Sequence, residues 1–483
     1  MAVDLGTTGC RSILFDDMLN EIGVAYEEYG LITPNETWVE QDAQLWWEMT
    51  LRTAKLAIKN SAINAKDILG ISVSSQGITL VPVDRDFNPL CNALSWLDLR
   101  AEKQAERIRS DFSEKEIFNI TGKKVLSAYT LPKLLWLKEN KPDVFDNAWK
   151  FLMPMDFLMA KLTGNAYTDH SMASGTLFYD LKKGCWDENI LNRYGISKEK
   201  LPQIAWSGTS AGYVRKDVAQ ELGLSESCVV AVGAQDQKCA ARGVGLSSDK
   251  TTVSLGTAGA ITKLWDSVEM DKSDKVGWCG YVKPSTWVTE GVINTAGTSL
   301  RYVRDLFFPG ENYQVLNTEA AACLEQECSL MFYPYLSGPS SPDYYPDSQG
   351  CFYGITLAMK RGHYVAAVME GVAFQIRILL EAMDAYGNVR ELILFGGGAK
   401  SELWCQIISD ITGLAVVVPT TAEAASAGAA ILAAMAAGKT LGVLPCVKHY
   451  FPTKNHTYYQ EKYEKYRKIE KKLWKEDSSN DLY

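Results

Sequence analysis

A short turn motif occurs twice in this chain, and it constrains the fold more than any other feature of the sequence. The first copy is Asp4-Leu-Gly-Thr-Thr-Gly9, the second is Ser254-Leu-Gly-Thr-Ala-Gly259, and alternating apolar residues follow each copy. The pattern predicts a β-hairpin with a tight turn of glycine and hydroxyl residues. Glycine lets a ligand approach the backbone closely, and consecutive free N–H groups form a concavity for anions. We therefore favour a duplicated fold that grips one polyphosphate from both sides over chance repetition.

Length and charge limit the classes of protein to consider. A chain of 483 residues exceeds what one hydrophobic core usually holds, so we predict two domains, 1–245 and 246–483. Lys and Arg number 49 and Asp and Glu number 58, which gives a net charge of −9. This balance argues against binding to nucleic acid or to an anionic membrane. The longest apolar run, 424–437, is too short to span a membrane and predicts a buried helix.

Cysteine and histidine usage excludes further classes. The eleven cysteines are scattered and form no C-x-x-C pair, which predicts a reduced, cytoplasmic setting rather than a disulfide framework. The four histidines lie far apart in the sequence, which argues against a His-rich metal site or a Ser-His-Asp triad. The first residues resemble a strand rather than a secretory signal.

Polar or glycine-rich residues follow three predicted strands. Strand 68–74 runs into Ser75-Gln76-Gly77, strand 228–232 into Gly233-Ala-Gln-Asp236-Gln237, and strand Glu391–Phe395 into Gly396-Gly-Gly398. Ligands meet open α/β sheets at the carboxyl ends of strands. These three loops, together with the two hairpin turns, are therefore the candidate binding elements.

Two aspartates and the glycine run each allow a structural and a functional interpretation. Asp4 could accept N–H bonds of its turn or serve as a ligand to Mg²⁺ through water, and we favour the metal role. Asp236 could cap a helix starting at Cys239 or act as a general base, and we favour the base. Residues 396–398 could be a plain turn between strand and helix, or a helix end that faces an anion or a flat base.

Helical periodicity and end signals predict several further elements. Helices are expected over Thr130–Asn140, 363–386 and 458–474, and another that Ser401 caps and Gly413 ends. The stretch 168–176 is rich in small polar residues and is expected to be a loop. Gly438-Lys-Thr440 is interpreted as a helix C-cap, since Ala433 stands where a P-loop requires glycine.

A series of segments follows one another along the chain. In order, they are Asp4-Leu-Gly-Thr-Thr-Gly-Cys-Arg11, Trp96-x-Asp98-x-Arg100, Lys133-Leu-Leu-Trp136-Leu-Lys-Glu-Asn140, Gly233-Ala-Gln-Asp236-Gln237, Ser254-Leu-Gly256-Thr257, Gly350-Cys-Phe-Tyr-Gly-Ile355 running on to Glu370-Gly371, and Phe395-Gly-Gly-Gly398-Ala-Lys-Ser-Glu-Leu-Trp404. Together these segments resemble the FGGY family of carbohydrate kinases, which share the actin/hexokinase-like (ribonuclease H-like) ATPase fold. Within the family, Pro334-Tyr-Leu-Ser-Gly338 and Ala399-Lys-Ser401 resemble xylulokinase-type members.

The resemblance implies an α/β protein whose two ATPase domains flank a cleft that closes on ligand. It implies a kinase that uses ATP and Mg²⁺, takes a small-molecule sugar, and leaves room for a homodimer. By position in the motifs, Asp236 would be the catalytic base and Asp4 the metal ligand. The implied sugar-binding residues are Ser75, Gln76, Trp96, Asp98, Arg100 and Gln237. The implied ATP-binding residues are Gly6, Thr7, Thr8, Arg11, Gly256, Thr257, Gly397, Gly398, Ala399 and Glu402.

The resemblance suggests D-xylulose, phosphorylated on its terminal hydroxyl, as the first candidate substrate. Xylulokinase-type enzymes usually carry Gly-Gln-Met-His-Gly in the sugar loop, whereas this chain has Val73-Ser-Ser-Gln76-Gly77. Another ketose, glycerol or another polyol, and gluconate therefore stay open. An actin- or chaperone-like ATPase could use the same hairpins, but it would not need the sugar-side residues. A homologue that only senses sugar would not need both Asp4 and Asp236.

Overall fold

The structure is a computed structural model and describes residues 1–270, 275–324, 328–338, 341–345, 347–383 and 389–474. The strands are β1 (Ala2–Leu5), β2 (Gly9–Phe15), β3 (Glu21–Glu28), β4 (Glu40–Gln41), β5 (Gly70–Ser75), β6 (Val81–Val83), β7 (Ala93–Leu94), β8 (Lys150–Leu152), β9 (Tyr167–Asp169), β10 (Tyr179–Asp180), β11 (Cys185–Trp186), β12 (Gln203–Ala205), β13 (Ser210–Tyr213), β14 (Val229–Gln235), β15 (Lys250–Leu255), β16 (Gly259–Trp265), β17 (Gly277–Gly280), β18 (Trp287–Ile293), β19 (Met331–Tyr333), β20 (Cys351–Tyr353), β21 (Glu391–Phe395), β22 (Ala415–Pro419) and β23 (Cys446–Tyr450).

The helices are α1 (Ala43–Ser61), α2 (Glu102–Asp111), α3 (Glu114–Thr121), α4 (Thr130–Asn140), α5 (Pro142–Asn147), α6 (Pro154–Thr163), α7 (His170–Ala173), α8 (Glu188–Arg193), α9 (Lys216–Leu222), α10 (Asp236–Gly243), α11 (Gly297–Phe307), α12 (Tyr313–Cys323), α13 (Arg361–Ala382), α14 (Glu402–Thr412), α15 (Ala424–Ala436) and α16 (Asn455–Trp474). None of the helices in the described residues is both long and apolar enough to cross a membrane.

The chain forms two compact units that are not consecutive halves. The first unit contains Met1–Gly245, Trp265–Val288 and Glu423–Leu444, and the second contains Leu246–Leu264, Thr289–Ala422 and the chain from Pro445 onward. The chain first leaves the first unit at Gly245, where the sequence analysis places the domain boundary. The two later segments group with the first unit although they fall inside the predicted second domain. The pairing responsible is long-range, because α15 packs against β1, β5, β14 and α10.

The first unit is built on a six-stranded sheet with the order β13-β14-β5-β1-β2-β3. β1 pairs antiparallel with β2 and parallel with β5, and β5 pairs parallel with β14. Every residue of β5 is buried, as expected for a central parallel strand that is covered on both faces. α1 packs on β2 and β3, while α6 packs on β5 and β14. The polar residues that follow the parallel strands therefore come from the buried centre of the sheet.

The second unit repeats this arrangement. Its sheet contains the order β18-β16-β15-β21-β22-β23. β15 pairs antiparallel with β16 and parallel with β21, and β21 pairs parallel with β22. In both units, therefore, the first strand of a hairpin pairs on its other side with a parallel strand, and a further parallel strand lies next to that one. The predicted pair of α/β domains with a duplicated hairpin is confirmed.

Most of the predicted helices are present with nearly the expected ends. α4 and α15 match their predictions, Ser401 caps α14 by accepting the Trp404 N–H at 3.2 Å, and Gly413 ends that helix with φ +70°. α13 ends at Ala382, and part of its predicted continuation lies outside the described residues. The expected loop at 168–176 is wrong. β9 and α7 occupy its first part because the Asp169 carboxylate caps α7.

Candidate active site

Three parallel strands of the first sheet end side by side. Leu5 of β1, Ser75 of β5 and Gln235 of β14 occupy the same register position. The residues that come next are the first turn (residues 6–8), the 75–79 loop and Asp236. Adjacent strands lie about 5 Å apart, so three of the predicted site elements share one edge of one sheet. This is the edge at which ligands meet sheets of this kind.

A bulge in β14 brings Asp236 to this edge. Between 231 and 234 the strand has one residue more than its partner has between 72 and 74. A Cβ at Gly233, which lies in the bulge, would come 1.8 Å from the Val73 carbonyl oxygen. Only glycine therefore fits here. Bulges of this kind bend a strand and re-aim the side chains that follow.

The first turn has its carbonyl groups directed into the protein. The Tyr29 hydroxyl donates to the Gly6 carbonyl at 2.5 Å, and the Gln41 amide donates to the Thr7 carbonyl at 2.7 Å. A trans peptide unit is planar, with its N–H antiparallel to its C=O. The N–H groups of Thr7 and Thr8 therefore point away from these two buried side chains. Two adjacent N–H groups with this direction form an anion-binding concavity.

Asp4 is a desolvated carboxylate at the base of the first turn. Burial raises its pKa from 3.8 to about 6, against the opposing effects of the Ser74 hydrogen bond and the Arg11 charge. The Ser74 hydroxyl donates to Asp4 at 2.9 Å. Arg11 itself forms an ion pair with Glu423 and stacks on the Tyr26 ring, 4.9 Å from its centroid. Arg11 is thus held by a carboxylate that the returning segment 423–444 supplies.

The 75–79 loop is held in a strained conformation. Ile78 has φ +52°, which is rare for a β-branched residue. The Lys133 ammonium donates to the Ile78 carbonyl at 3.2 Å. Burial lowers the pKa of Lys133 to about 7. Strained backbone persists only where the surroundings fix it, and it concentrates at functional sites.

Gln76 is buried in this loop and is bonded to the neighbouring strand and to Gln41. Its backbone N–H donates to the Leu5 carbonyl at 3.0 Å, and its side-chain amide donates to Gln41 at 3.0 Å. Ser75 is fully buried and donates to the Gln76 carbonyl. The loop is therefore tied to both the end of β1 and the first turn.

The Trp96-x-Asp98-x-Arg100 segment divides into an exposed and a buried part. Trp96 is 39% exposed, and its indole N–H donates to the Thr7 hydroxyl at 2.9 Å. Asp98 and Arg100 are buried and bonded to each other at 2.7 Å, and Arg100 also reaches Glu40 at 2.8 Å. Only Trp96 of the three therefore presents surface at the first turn. Asp98 and Arg100 hold the segment in place from inside.

Asp236 is the first residue of α10, which starts three residues earlier than the sequence suggests. Gln235 occupies the cap position, and its side chain accepts the Gln237 N–H at 3.1 Å. The Asp236 carboxylate accepts the same N–H at 2.6 Å and contacts the Gln235 amide. Asp236 and Gln237 are both partly exposed. The interpretation of Asp236 as the cap of a helix starting at Cys239 is thus wrong, since that task belongs to Gln235.

The second turn (residues 256–258) also has its carbonyl groups directed into the protein. The Gly256 carbonyl accepts from Gly297 N–H at 2.9 Å, and the Thr257 carbonyl accepts from Thr298 N–H at 3.1 Å. Both donors belong to the first turn of α11. By the same peptide geometry, the N–H groups of Thr257 and Ala258 point away from α11. In each of the two turns of the sequence repeat, the carbonyl groups thus face the protein and the N–H groups point away from it.

A cavity of about 520 Å³ opens beside the second turn, inside the second unit. Its lining includes Gly256, Thr257, Gly397 and Gly398, which the sequence predicts as a group. Lys400, from the segment Ala399-Lys-Ser401, also lines it. Other lining residues, which the sequence does not single out, are Gly297, Thr298, Arg301, Tyr313 and Asn317. Among the described residues that line it, two are cationic and none is acidic. A cavity of this size suits a small organic anion.

Two of the ATP-binding residues predicted in the second unit, Ala399 and Glu402, lie outside this lining. Ala399 is buried in the turn between β21 and α14. Glu402 is exposed and paired with Lys448 at 2.9 Å, which lowers the pKa of the carboxyl. Residue 398 packs closely against Leu255 and must be glycine, since a Cβ there would come 2.4 Å from the Leu255 side chain. The bare backbone at 397 and 398 thus forms the cavity wall.

At the edge of the first sheet, sequence reasoning missed Lys133, Gln41 and Glu423. Lys133 lies in a motif that carries the resemblance, but its partner Ile78 is far away in sequence. Gln41 and Glu423 carry no local signal, because their partners Thr7 and Arg11 lie 34 and 412 residues away. Only the fold brings such pairs together.

The residues at the first turn fit a divalent cation held mainly through water. Within the described part of the chain, no cluster of three or more His, Cys, Asp or Glu side chains could enclose a metal. At the base of this turn Asp4 offers a carboxylate whose raised pKa reflects poorly compensated charge. Mg²⁺ commonly takes one or two carboxylates, several waters and substrate phosphates. A single carboxylate beside an anion-binding turn meets that requirement.

Comparison with known proteins covers nearly the whole chain. Residues 1–243 match the model of the N-terminal domain of the FGGY family of carbohydrate kinases, and residues 252–437 match that of its C-terminal domain. The chain is 32% identical over 452 residues to the xylulose kinase of Bacillus subtilis (strain 168), covering 93% of this chain and 90% of that protein. It is 29% identical over 454 residues to the gluconokinase of the same organism, covering 91% and 88%.

Solved structures give the same result. The ligand bound xylulose kinase from Lactobacillus acidophilus superimposes with a TM-score of 0.89 at 26% identity, and the match covers 98% of this chain and 97% of that chain. Relatives named for two different acceptors thus resemble the chain almost equally. The level of identity alone does not select one acceptor.

Proposed function

Since the chain belongs to the FGGY family of carbohydrate kinases, we propose that it transfers the terminal phosphoryl group of ATP to the terminal hydroxyl of a small ketose. The observation that carries the proposal is the shared edge of the first sheet. Asp4 lies near the end of β1 and the anion-binding turn at 6–8 follows that strand, while Asp236 follows β14 on the other side of β5. Phosphoryl transfer needs positioning and charge neutralisation more than covalent help, and these groups supply both.

Asp236 is the base in this proposal. Its carboxylate is partly exposed, and the N–H of Gln237 and the amide of Gln235 orient it. It accepts the proton of the acceptor hydroxyl as that oxygen attacks phosphorus, so the developing alkoxide is never free. General-base help of this kind contributes about 10²–10⁴-fold. Gln237 and the exposed face of Trp96 border the acceptor, and Gln76 contacts it from the 75–79 loop.

Asp98 and Arg100 have a positioning role in the proposal rather than direct contact with the sugar. The two side chains are buried, and Arg100 lies over the Trp38 ring at 3.9 Å from its centroid. Their bonds to each other and to Glu40 fix the segment that carries Trp96. The indole then keeps its hydrogen bond to the Thr7 hydroxyl, which joins the acceptor side to the first turn.

The second-unit cavity takes the nucleotide. The N–H groups of Thr257 and Ala258 face phosphate oxygens, and Arg301 and Lys400 supply positive charge at the wall. The bare backbone at 397 and 398 gives a flat surface for the base, with Ala399 behind it. Glu402 stays outside the contact set, because it is paired with Lys448. In the first unit, the N–H groups of Thr7 and Thr8 and the Arg11 guanidinium are the groups suited to phosphate oxygens.

Mg²⁺ neutralises phosphate charge in reactions of this class. Asp4 is the residue that would hold it, through water, at the base of the first turn. Ser74 keeps the Asp4 carboxylate in place. The setting we propose is cytoplasmic, with sugar and ATP as the partners, because the cysteines lack paired motifs.

D-xylulose is the proposed acceptor, and the support is the resemblance to xylulose kinases over most of the chain. Gluconate, glycerol and other ketoses or polyols are the alternatives. A coupled assay of ADP release over a panel of ketoses, polyols and aldonates tests the proposal. We expect one member to exceed the others strongly in kcat/KM. If none stimulates ADP release, the kinase proposal fails, whereas turnover of gluconate alone removes only D-xylulose.

The role of Asp236 is tested by Asp236→Asn, which keeps the shape of the side chain. We expect kcat to fall by about 10²–10⁴, while sugar binding by calorimetry persists. Asp217→Asn is the matched control, since Asp217 lies in the first turn of α9, is exposed, and is paired with Arg215. Full turnover in Asp236→Asn would remove this residue from the mechanism.

A further inference from the structure

Gln41 connects the first turn to the 75–79 loop. It lies in β4 and is fully buried. Its amide nitrogen donates to the Thr7 carbonyl at 2.7 Å, and its amide oxygen accepts from the Gln76 amide at 3.0 Å. A single side chain thus contacts both the turn suited to phosphate and the loop suited to the acceptor.

The backbone carbonyl of Thr7 fixes the direction of both amides. A carbonyl oxygen can only accept, so Gln41 must turn its NH₂ toward Thr7 and its oxygen toward Gln76. That oxygen in turn requires the NH₂ of Gln76. Reversing either amide would place two acceptors or two donors face to face. Only one arrangement of donors and acceptors is therefore possible from the Thr7 carbonyl through Gln41 to Gln76.

One consequence concerns the amide oxygen of Gln76. It is buried, and among the described residues no donor reaches it. Gln76 itself is 3% exposed and follows the strand end that adjoins both β1 and β14. Buried polar atoms in folded proteins nearly always have a hydrogen-bond partner. An orphan acceptor at this edge calls for a donor that arrives with the ligand.

We propose that Gln41 is a positioning residue that sets which sugar the enzyme selects. By fixing the direction of the Gln76 amide, Gln41 makes the 75–79 loop present a hydrogen-bond acceptor to the substrate. The favoured substrate is then a neutral ketose or polyol that directs a hydroxyl, as donor, at Gln76. An aldonate that directs its carboxylate there is rejected, because two acceptors would meet. This inference rests on the proposed kinase function and narrows its substrate class.

The test uses the full chain and the variants Gln41→Met and Gln76→Met, which keep side-chain length and remove the hydrogen bonds. Gln44→Met is the matched control, because Gln44 is an exposed residue near the start of α1. The assays are kcat/KM for D-xylulose and the other panel members, acceptor binding and ADP binding by calorimetry, and the melting temperature.

We expect the wild type to prefer a neutral acceptor over gluconate by at least about 10²-fold, since sites built on hydrogen bonds reject ligands that leave them unpaired. Gln41→Met should lower kcat/KM for the preferred acceptor by about 10–100-fold, mainly by raising KM. The ratio of this kcat/KM to that for gluconate should therefore fall. ADP affinity should stay within about 2-fold. The double variant should be no worse than Gln76→Met, because coupled residues are not additive.

Three outcomes would overturn the inference. One is an unchanged selectivity ratio in Gln41→Met, and another is a loss confined to ADP affinity, which would assign Gln41 to the first turn alone. The third is full additivity in the double variant. A wild type that neither binds nor turns over any acceptor would overturn the proposed function as well, so the two failures are distinguishable. Gln76→Met answers the question independently if Gln41→Met does not fold.

Discussion

Replacing Asp4 by Asn should stabilise the protein and, at the same time, impair it. The carboxylate is largely shielded from water, and this desolvation raises its pKa from 3.8 to about 6. One pH unit of pKa difference corresponds to about 1.4 kcal/mol, so ionised Asp4 costs the fold about 3 kcal/mol. Because the pKa is raised on folding, the favourable contribution of Asp4 is complete below pH 4 and is lost as the pH rises through 6.

Asn at position 4 carries no charge at any pH. The stability of Asp4→Asn relative to the wild type should therefore increase between pH 4 and pH 7 and then level off. The Ser74 hydrogen bond can be retained by the amide oxygen, so little is lost elsewhere. At roughly 2 °C per kcal/mol for a large domain, the melting temperature of the variant should exceed that of the wild type by about 5 °C above pH 7.

The measurement is thermal unfolding of both proteins in metal-free buffers from pH 4 to pH 8. Adding Mg²⁺ with ADP should narrow the difference, since only the wild type gains a ligand for the cation. The variant should also need more Mg²⁺ for half-maximal activity, with sugar affinity nearly unchanged. A stability difference that is constant from pH 4 to pH 8 would refute the reasoning.

Asp16→Asn supplies a control of opposite sign. Asp16 follows β2 of the same hairpin and is partly exposed, and its pKa is lowered chiefly by the side-chain hydrogen bond from Asn20. A lowered pKa gives stability above pH 4 that is lost as the pH falls. Asp16→Asn should therefore be less stable than the wild type at neutral pH, with a difference that shrinks toward pH 3.

Three further changes probe other parts of the site. Lys133→Met removes the bond that holds the Ile78 carbonyl, so KM for the sugar should rise about 10-fold while KM for ATP stays level; a reversed pattern would contradict this role. In Gly297→Ala the new Cβ would lie 2.4 Å from the Gly256 carbonyl oxygen, so ADP affinity by calorimetry should fall about 10-fold, and unchanged affinity would show that the second turn does not bind phosphate. Gln76→His should raise relative activity on D-xylulose, and a flat response would move acceptor selectivity elsewhere.

The sequence alone was sufficient for the features that local chemistry determines. The two hairpins were predictable because glycine and threonine in the turns interrupt alternating apolar runs. The end of α14 was predictable because Ser401 and Gly413 carry its cap signals. α10 began earlier than expected, since Gln235 rather than a later residue satisfies its first N–H groups.

Contacts between distant segments could not be predicted in this way. The Asp98 carboxylate could be named from its motif, but its burial depends on Arg100, Glu40 and the backbone of Val39. Glu423 lies at the start of a helix that, by sequence, belongs to the second half. Its pairing with Arg11 follows only from the return of that helix to the first sheet.

That return has a consequence for how the protein is made. α15 covers β1, β5 and β14, yet roughly 180 residues separate it from the end of the first N-terminal stretch at Gly245. At translation rates of about 5–20 residues per second, the ribosome needs about 10–40 s to synthesise them. Throughout that interval the nascent first sheet has α1 and α6 but lacks α15, and the apolar surface that α15 covers makes it a natural client for chaperones. A fragment that stops before residue 423 would remain in that state permanently.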